Sequence, residues 1–282
     1  MTDIGTIDWN EAWKTIDRRK RAEDGLANCT DRWNDRERCR KFNRMVQEDN
    51  WKHAWERIHV MKVDPSSRVL DIGAGPGTLA IPLAGIARHV TAVEPSEGML
   101  ECLHGNMQQR GIANITTLRK KWEDVDPGTD LDAPYDVVVA SYSLGFADLR
   151  PALEKMDAVS GRYVYLFWFA DMTSPRLQNY CEIWEELFGM PPLPRYTPNI
   201  IYNLLNQMGI YANVEITRTE HVNRFSSVDE AVADQQDALN LTEERQVLVL
   251  RRYLERTLRQ ENGHYLLKRR SYQAKIWWDK EV

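Results

Sequence analysis

The stretch from Arg68 to Ala80 limits the possible folds more than any other part of the chain. Val69, Leu70 and Ile72 form a short apolar run that stops at Gly73, Gly75 and Gly77, and a helical pattern begins near Thr78. This reads as a buried strand, a turn with no side chains in the way, and a helix start, the opening βα unit of a nucleotide-type site. A dinucleotide-binding turn wants glycine at its first, third and sixth positions, here Gly73, Gly75 and Thr78. The sixth glycine is missing and an extra one stands at Gly77, which disfavours a nicotinamide oxidoreductase. An acid, Asp71, lies at the end of the strand.

A second acid falls where such a site needs one. The segment His89 to Val93 is rich in β-branched residues and reads as the next strand, ending at Glu94. A carboxylate at that tip can accept two charge-assisted hydrogen bonds from ribose hydroxyls.

The Asp71-x-Gly73-x-Gly75-x-Gly77 segment, followed by Glu94, resembles motif I and its partner acid in the class I S-adenosylmethionine-dependent methyltransferases. The resemblance implies a Rossmann-like, seven-stranded, mostly parallel α/β sheet with helices on both faces. It also implies S-adenosyl-L-methionine as cofactor, held by Asp71, Gly73, Ala74, Gly75, Gly77 and Glu94. Pro95, Ser96 and Met99 match positions that flank the ribose and adenine in that family.

Alternation of strands and helices supports the same architecture. Strands are expected at 68–73, 89–94, 115–119, 135–141 and 162–169, and helices near 78–87, 96–111 and 149–159, with 122–133 mostly loop. Pro82 is compatible with the first helix because it lies in the opening turn. Beyond Phe169 the pattern predicts a helix over 177–188, another over 198–208 ending at Gly209, a sixth strand at 212–219, and a charged helical block at 227–262. The last strand is expected at 272–278, paired locally with 264–268. Residues 1–60 read as a helical extension or lid, with Trp9 and Trp13, and Trp51 and Trp55, at helical spacing. Within it, the segment from Arg38 to Asn43 resembles the helix that precedes the family's core. The methyltransferase domain would then span 61–282, with cap insertions at about 171–197 and 226–262.

Ligands of open parallel sheets bind beyond the carboxyl ends of the strands. Besides the loops after Ile72 and Val93, this rule points to the loop at 121–124, where the family often places an aspartate for the adenine amino group. Lys121 or Trp122 occupies that slot here, so the resemblance implies Glu123 or Asp124 as the adenine-binding acid, with Trp122 as a ring that stacks on the purine. The rule points also to Ser141 and Tyr142 after the fourth strand, where the family places donor and acceptor. Methyl transfer is an in-line displacement at an activated carbon, so alignment and water exclusion carry most of the rate. Candidates for orienting the acceptor or removing a proton are Tyr142, His53, His221 and Asp148; a thiolate or neutral amine acceptor needs none.

The net charge of −5 gives no reason to expect a nucleic-acid partner. Ser141-Tyr142-Ser143 stands where the amino-methyltransferases of DNA bases carry Asn-Pro-Pro-aromatic. No apolar run reaches a membrane span, and the segment Met1 to Gly5 lacks signal-peptide character, so a cytoplasmic protein is expected. The four cysteines and six histidines show no metal-ligand spacing, and no metal is expected. The acceptor is expected to be a small molecule enclosed under the lid, with the protein a monomer or homodimer. A protein side chain as acceptor, or a catalytically silent cofactor-binding regulator, are the alternatives.

Overall fold

The computed structural model describes residues 7–24, 31–170, 180–191 and 198–281. Its frame is a sheet whose strands run β3-β2-β1-β4-β5-β8-β6, with a short β7 beside β8. The strands are β1 (Arg68–Ile72), β2 (His89–Val93), β3 (Ile115–Leu118), β4 (Tyr135–Ser141), β5 (Ser160–Phe169), β6 (Asn213–Phe225), β7 (Arg259–Glu261) and β8 (His264–Asp279). The first five pair in parallel along the sheet, β3 with β2, β2 with β1, β1 with β4 and β4 with β5. The sheet is mostly parallel with seven strands along its path, as the sequence led us to expect.

Parallel neighbours need crossovers, and three helices supply them. They are α4 (Ala80–Ala84), α5 (Glu97–Arg110) and α6 (Leu149–Val159). The chain starts the sheet at β1, winds outward through β2 and β3, then returns to β4 on the other side of β1. That reversal opens a crevice at the carboxyl ends of β1 and β4. Both strands are buried on both faces, with Val69, Leu70, Val137, Val138 and Val139 fully enclosed. Each such side chain stabilises the fold by about 1.5–3 kcal/mol, which fixes the strand tips that carry the loops.

Among the described residues, three α-helices precede the sheet: α1 (Trp9–Asp24), α2 (Arg36–Glu48) and α3 (Lys52–Ile58). Asp35 caps α2 through its side chain, accepting from the N–H groups of Glu37 and Arg38. The turn into α3 places Asn50 and Trp51 in succession at φ +49° and +57°. Gly209, two residues after helix α8 (Pro198–Gln207), adopts φ +78°.

Two compact units are present. The first comprises Met1–Trp168, Pro198–Glu215 and Ala274–Val282, the second Phe169–Thr197 and Ile216–Gln273. The second has its own core, built by Tyr180, Leu187, Phe225, Leu239, Leu250, Leu254 and Leu267. Its described helices are α7 (Trp184–Phe188), α9 (Val228–Leu239) and α10 (Glu244–Thr257).

Here the structure corrects several expectations. The block 227–262 is two helices and a strand: Asn240 turns left-handed at φ +54° and closes α9, while Glu243 and Gln246 cap α10 reciprocally. The last strand begins at His264 instead of Tyr272, because Asn262 and Gly263 both take positive φ, +51° and +77°, and form a two-residue hairpin loop. Glu261 thus pairs with His264, and 264–266 pair with β7, not with the end of the same strand. β6 runs six residues beyond the expected end, and α4 is shorter than 78–87. Residues 177–179 of the expected helix over 177–188 lie outside the described residues, and the described helix begins at Trp184.

Candidate functional site

The loop after β1 is shaped by what a side chain would hit. A Cβ on Gly73, at φ +73°, would sit 2.4 Å from Ser143 Cβ, so the loops after β1 and β4 touch only because no side chain intervenes. The N–H groups of Gly73 and Ala74 both donate to Val93 O, at 2.8 and 3.1 Å, which ties this loop to the tip of β2. Gly75, at φ +57°, would carry its Cβ into open space, with nothing within 4 Å. Gly77 differs: its Cβ would meet Leu103 Cδ1 at 2.5 Å and Ile81 Cγ1 at 2.7 Å, so it serves the packing of α4 on α5.

Glu94, 6% exposed, bridges two loops. Its Oε2 accepts from Gly75 N–H at 2.9 Å and its Oε1 from Ser96 N–H at 2.8 Å. Ser96 caps α5, with its Oγ accepting from Met99 N–H at 3.2 Å and donating to Trp33 O at 2.7 Å. Burial raises the Glu94 carboxyl above the usual range, while the two backbone donors work in the opposite direction. Pro95 is partly buried between them, and Met99 is buried.

Asp71, 2% exposed, is pushed up to about 7 by burial, with the charge of Glu94 adding to the rise. The Ala80 N–H and the Arg57 guanidinium favour its ionised form. Its Oδ2 has no hydrogen-bond partner, as is true of the shielded Ser141 Oγ and Arg57 Nε. Buried polar atoms are rarely left in this state.

Beyond β4, Tyr142 stands at φ +56°, an uncommon conformation for a bulky residue. Its N–H donates to Phe167 O at 2.9 Å, and Arg57 Cζ lies 5.4 Å from its ring centroid. Burial pushes the phenol up to about 12, against the opposing pull of Arg57. Tyr142 is therefore protonated at neutral pH, able to donate a hydrogen bond and unable to act as a base. Ser143 fastens the turn by donating from Oγ to Ile72 O at 2.5 Å.

The remaining candidates separate. Trp122 is 2% exposed, donates from Nε1 to Ala152 O at 3.1 Å, and has Lys155 Nζ 5.3 Å from its ring centroid. The ring packs against α6 and offers no exposed face to a purine, which corrects the stacking expectation. Lys155 Nζ also binds the carbonyls of Trp122, Glu123 and Val125 at 2.9, 3.0 and 2.7 Å, leaving the Glu123 side chain exposed. His53 pairs with Glu56 at 2.9 Å on α3. Asp148 is spent in fastening α1, with Lys14 Nζ at 2.8 Å and Asn10 Nδ2 at 2.8 Å. His221 falls on β6 in the second unit, and its side chain lies outside the described residues.

Sequence reading missed three supports. Asn106, 1% exposed, donates from Nδ2 to Pro76 O and to Asn43 Oδ1, each at 2.8 Å, and accepts from Gln47 Nε2 at 2.6 Å. It thereby joins the glycine loop to α2. Trp13 donates from Nε1 to Phe146 O at 2.8 Å, docking α1 on the loop after β4. Arg57 was overlooked because a lone arginine in an amphipathic helix gives no signal of its own. Among the described residues no group of three or more His, Cys, Asp or Glu could hold a metal ion. No described helix is long and apolar enough to cross a membrane.

A parallel sheet with a reversal beside β1, a side-chain-free turn, and an acid at the tip of β2 define a Rossmann-like α/β domain. Residues 69–160 match the family model of a methyltransferase domain. A relative from Haemophilus influenzae, an uncharacterized protein, is 31% identical over 79% of this chain and 80% of its own length. A protein-L-isoaspartate O-methyltransferase of Protochlamydia amoebophila is 32% identical over 36% of this chain and 47% of that protein, so the match spans under half of it. The YcgJ protein from Bacillus subtilis shares the fold at a TM-score of 0.56 and 14% identity, over 80% of this chain and 97% of that one. The chain belongs to the class I S-adenosylmethionine-dependent methyltransferases, and it is an enzyme of methyl transfer.

Proposed function

We propose that this chain holds S-adenosylmethionine across the carboxyl ends of β1, β2 and β4 and methylates a small molecule. The observation that carries this reading is the clasp between Gly75 and Glu94 below open space. Gly75 N–H lies 2.9 Å from Glu94 Oε2, and a Cβ on Gly75 would meet nothing within 4 Å. A carboxylate oxygen has two lone pairs, so each Glu94 oxygen retains one for a ribose hydroxyl after accepting its backbone donor. The unpartnered Asp71 Oδ2, Arg57 Nε and Ser141 Oγ fit a ligand with a polar, charged tail better than an apolar one. Once bound, the sulfonium supplies a methyl carbon already activated toward displacement.

The protein's part is then placement. Tyr142, protonated and held by its left-handed backbone and by Arg57, orients the acceptor as a hydrogen-bond donor. Proton removal falls to the acceptor's own ionisation or to solvent, since the Tyr142 phenol titrates far above neutrality. Trp13 on Phe146 O and Ser96 on Trp33 O bring the N-terminal helices over the loops that flank the cofactor, which supports a role for that extension in excluding water.

The test is calorimetry with S-adenosylmethionine and S-adenosylhomocysteine, followed by labelled methyl transfer in cell extract separated into small-molecule and macromolecule fractions. Saturable binding with label among small molecules is expected. Label confined to protein would replace the acceptor class by a side chain, and binding without label in any fraction would favour a silent cofactor-binding regulator.

A further inference from the structure

Strand β6 ends the sheet beyond β8, and no described strand pairs with its other side. An edge strand presents a row of N–H and C=O groups to any strand that can join it, and proteins commonly blunt such edges with short length, proline or charge. β6 runs for 13 residues without a proline. Its stretch 216–222 lies within the second unit, where contacts with β8 fix its orientation. Thr219 Oγ1 lies 2.7 Å from Ser271 Oγ, and Arg270 Nε lies 3.4 Å from Glu220 Oε1. The numbers on β8 fall as those on β6 rise, so the two strands are antiparallel.

Side chains two residues apart in a strand share a face. Ile216, Arg218, Glu220 and Val222 therefore form one row, and all four are exposed, Ile216 to 51% and Val222 to 47%. The row is self-complementary about Thr219. Laid antiparallel against its own copy on a twofold axis there, it sets Ile216 opposite Val222 and Arg218 opposite Glu220, each pair twice. Apolar and opposite-charge pairs across a ladder are favourable, and like charges are not. A slip of two residues sets Arg218 against Arg218 in one direction and Glu220 against Glu220 in the other. The charges that blunt this edge toward other strands thus select one register with itself.

We propose that the partner of this edge is a second copy of the chain, whose β6 pairs antiparallel with the first through 216–222 and joins the two sheets into one. Main-chain bonds supply affinity in such strand addition, and the side-chain row supplies specificity. Glu220 lies between Arg270 and Arg218 of its own chain, at 3.4 and 3.6 Å, and the partner's Arg218 adds a further cation beside it. A twofold axis uses the same patch on both copies, so the assembly closes at a dimer and does not grow into a fibre. This pairing needs neither cofactor nor acceptor and stands apart from the methyl-transfer reading.

Sedimentation equilibrium of the full chain over a range of concentrations tests it, and the unaltered protein should show reversible dimerisation. Arg218→Glu places acid opposite acid on both sides of the axis, and Glu220→Arg places base opposite base. Each variant alone should weaken dimerisation by about tenfold or more, with its circular dichroism spectrum kept. Mixed in equal amounts, the two variants set every acid opposite a base, so they should associate with each other far more tightly than either does with itself. A monomer at every concentration overturns the proposal and leaves the edge to a different partner. Undiminished dimerisation of both variants overturns it in favour of another surface, and failure of the two folded variants to associate when mixed overturns the register and the proposal with it.

Discussion

Gly75 N–H donates to Glu94 Oε2 at 2.9 Å, so the acid at the tip of β2 holds the glycine loop as well as facing the crevice. A ribose-binding acid on a mobile side chain would have to be ordered on binding. Here it is ordered in advance by Gly75 and by Ser96, whose N–H lies 2.8 Å from Oε1. On the proposed reading, Glu94→Ala therefore removes partners of the ribose and frees the loop together. The expected loss of affinity for S-adenosylhomocysteine is about 1.5–3 kcal/mol, the range for hydrogen bonds to a charged group. Calorimetry measures it, and unchanged affinity sinks the ribose role.

Gly75 and Gly77 are predicted to fail in different ways when replaced by alanine. At Gly75 the added Cβ meets no protein atom, so the stability cost is confined to the left-handed backbone, about 1–2 kcal/mol, while ligand binding is lost. At Gly77 the Cβ lands 2.5 Å from Leu103 Cδ1, so the melting temperature falls well beyond that of Gly75→Ala. Thermal melts with and without S-adenosylhomocysteine separate the two. Equal ligand-induced stabilisation of Gly75→Ala and the unaltered protein would remove the loop from the site.

The parts of this protein that obey local rules were legible from its sequence. The apolar runs of β1, β2 and β4, the glycine turn, Glu94 and the crossover helices all announce themselves within about ten residues of their neighbours. What was missed depends on contacts that sequence spacing does not reveal. Arg57 and Asn106 matter because folding brings them to the β1 loop, and Trp122 loses its expected role because Lys155 and Ala152 enclose it. The hairpin at Asn262 and Gly263 is a different case. That dipeptide is a strong turn signal, and it was overridden by the charged helical pattern on its N-terminal side.

Asp71 makes two pH predictions. With its carboxyl near 7 in the free protein, it is about half protonated at pH 7. On the proposed reading, the cationic S-adenosylmethionine favours the Asp71 carboxylate, so its binding at pH 7 should release a fraction of a proton, and calorimetry in buffers of different ionisation enthalpy reads it. The release should shrink as pH rises above 8 and disappear in Asp71→Asn. The folded-state value lies above the unfolded one near 3.8, so the native protein binds the extra proton between them. Stability contributed by this group is present below pH 4 and lost as pH rises toward 7. A urea titration at pH 5 and 8 should show that difference reduced in Asp71→Asn; an unchanged difference assigns it to other groups.

Asn106 connects the glycine loop to α2 through a single buried amide. Its Nδ2 binds Pro76 O and Asn43 Oδ1, and its Oδ1 takes the Gln47 donor, so three partners lose their bonds together in Asn106→Leu. Pro76 O and the amides of Asn43 and Gln47 then need water at a place where 1% of the residue is exposed. The expected destabilisation is about 1–3 kcal/mol, the desolvation cost of buried groups left without partners. Hydrogen exchange should locate it: amides of α2 and of the turn at 73–78 exchange faster, while those of β4 and β5 keep their protection. Asn106→Asp keeps the acceptor for Gln47 but loses both donors, so it should loosen the glycine loop at least as much. If α2 loosens and the turn does not, Asn106 supports the helix alone and the proposed link between extension and site is broken.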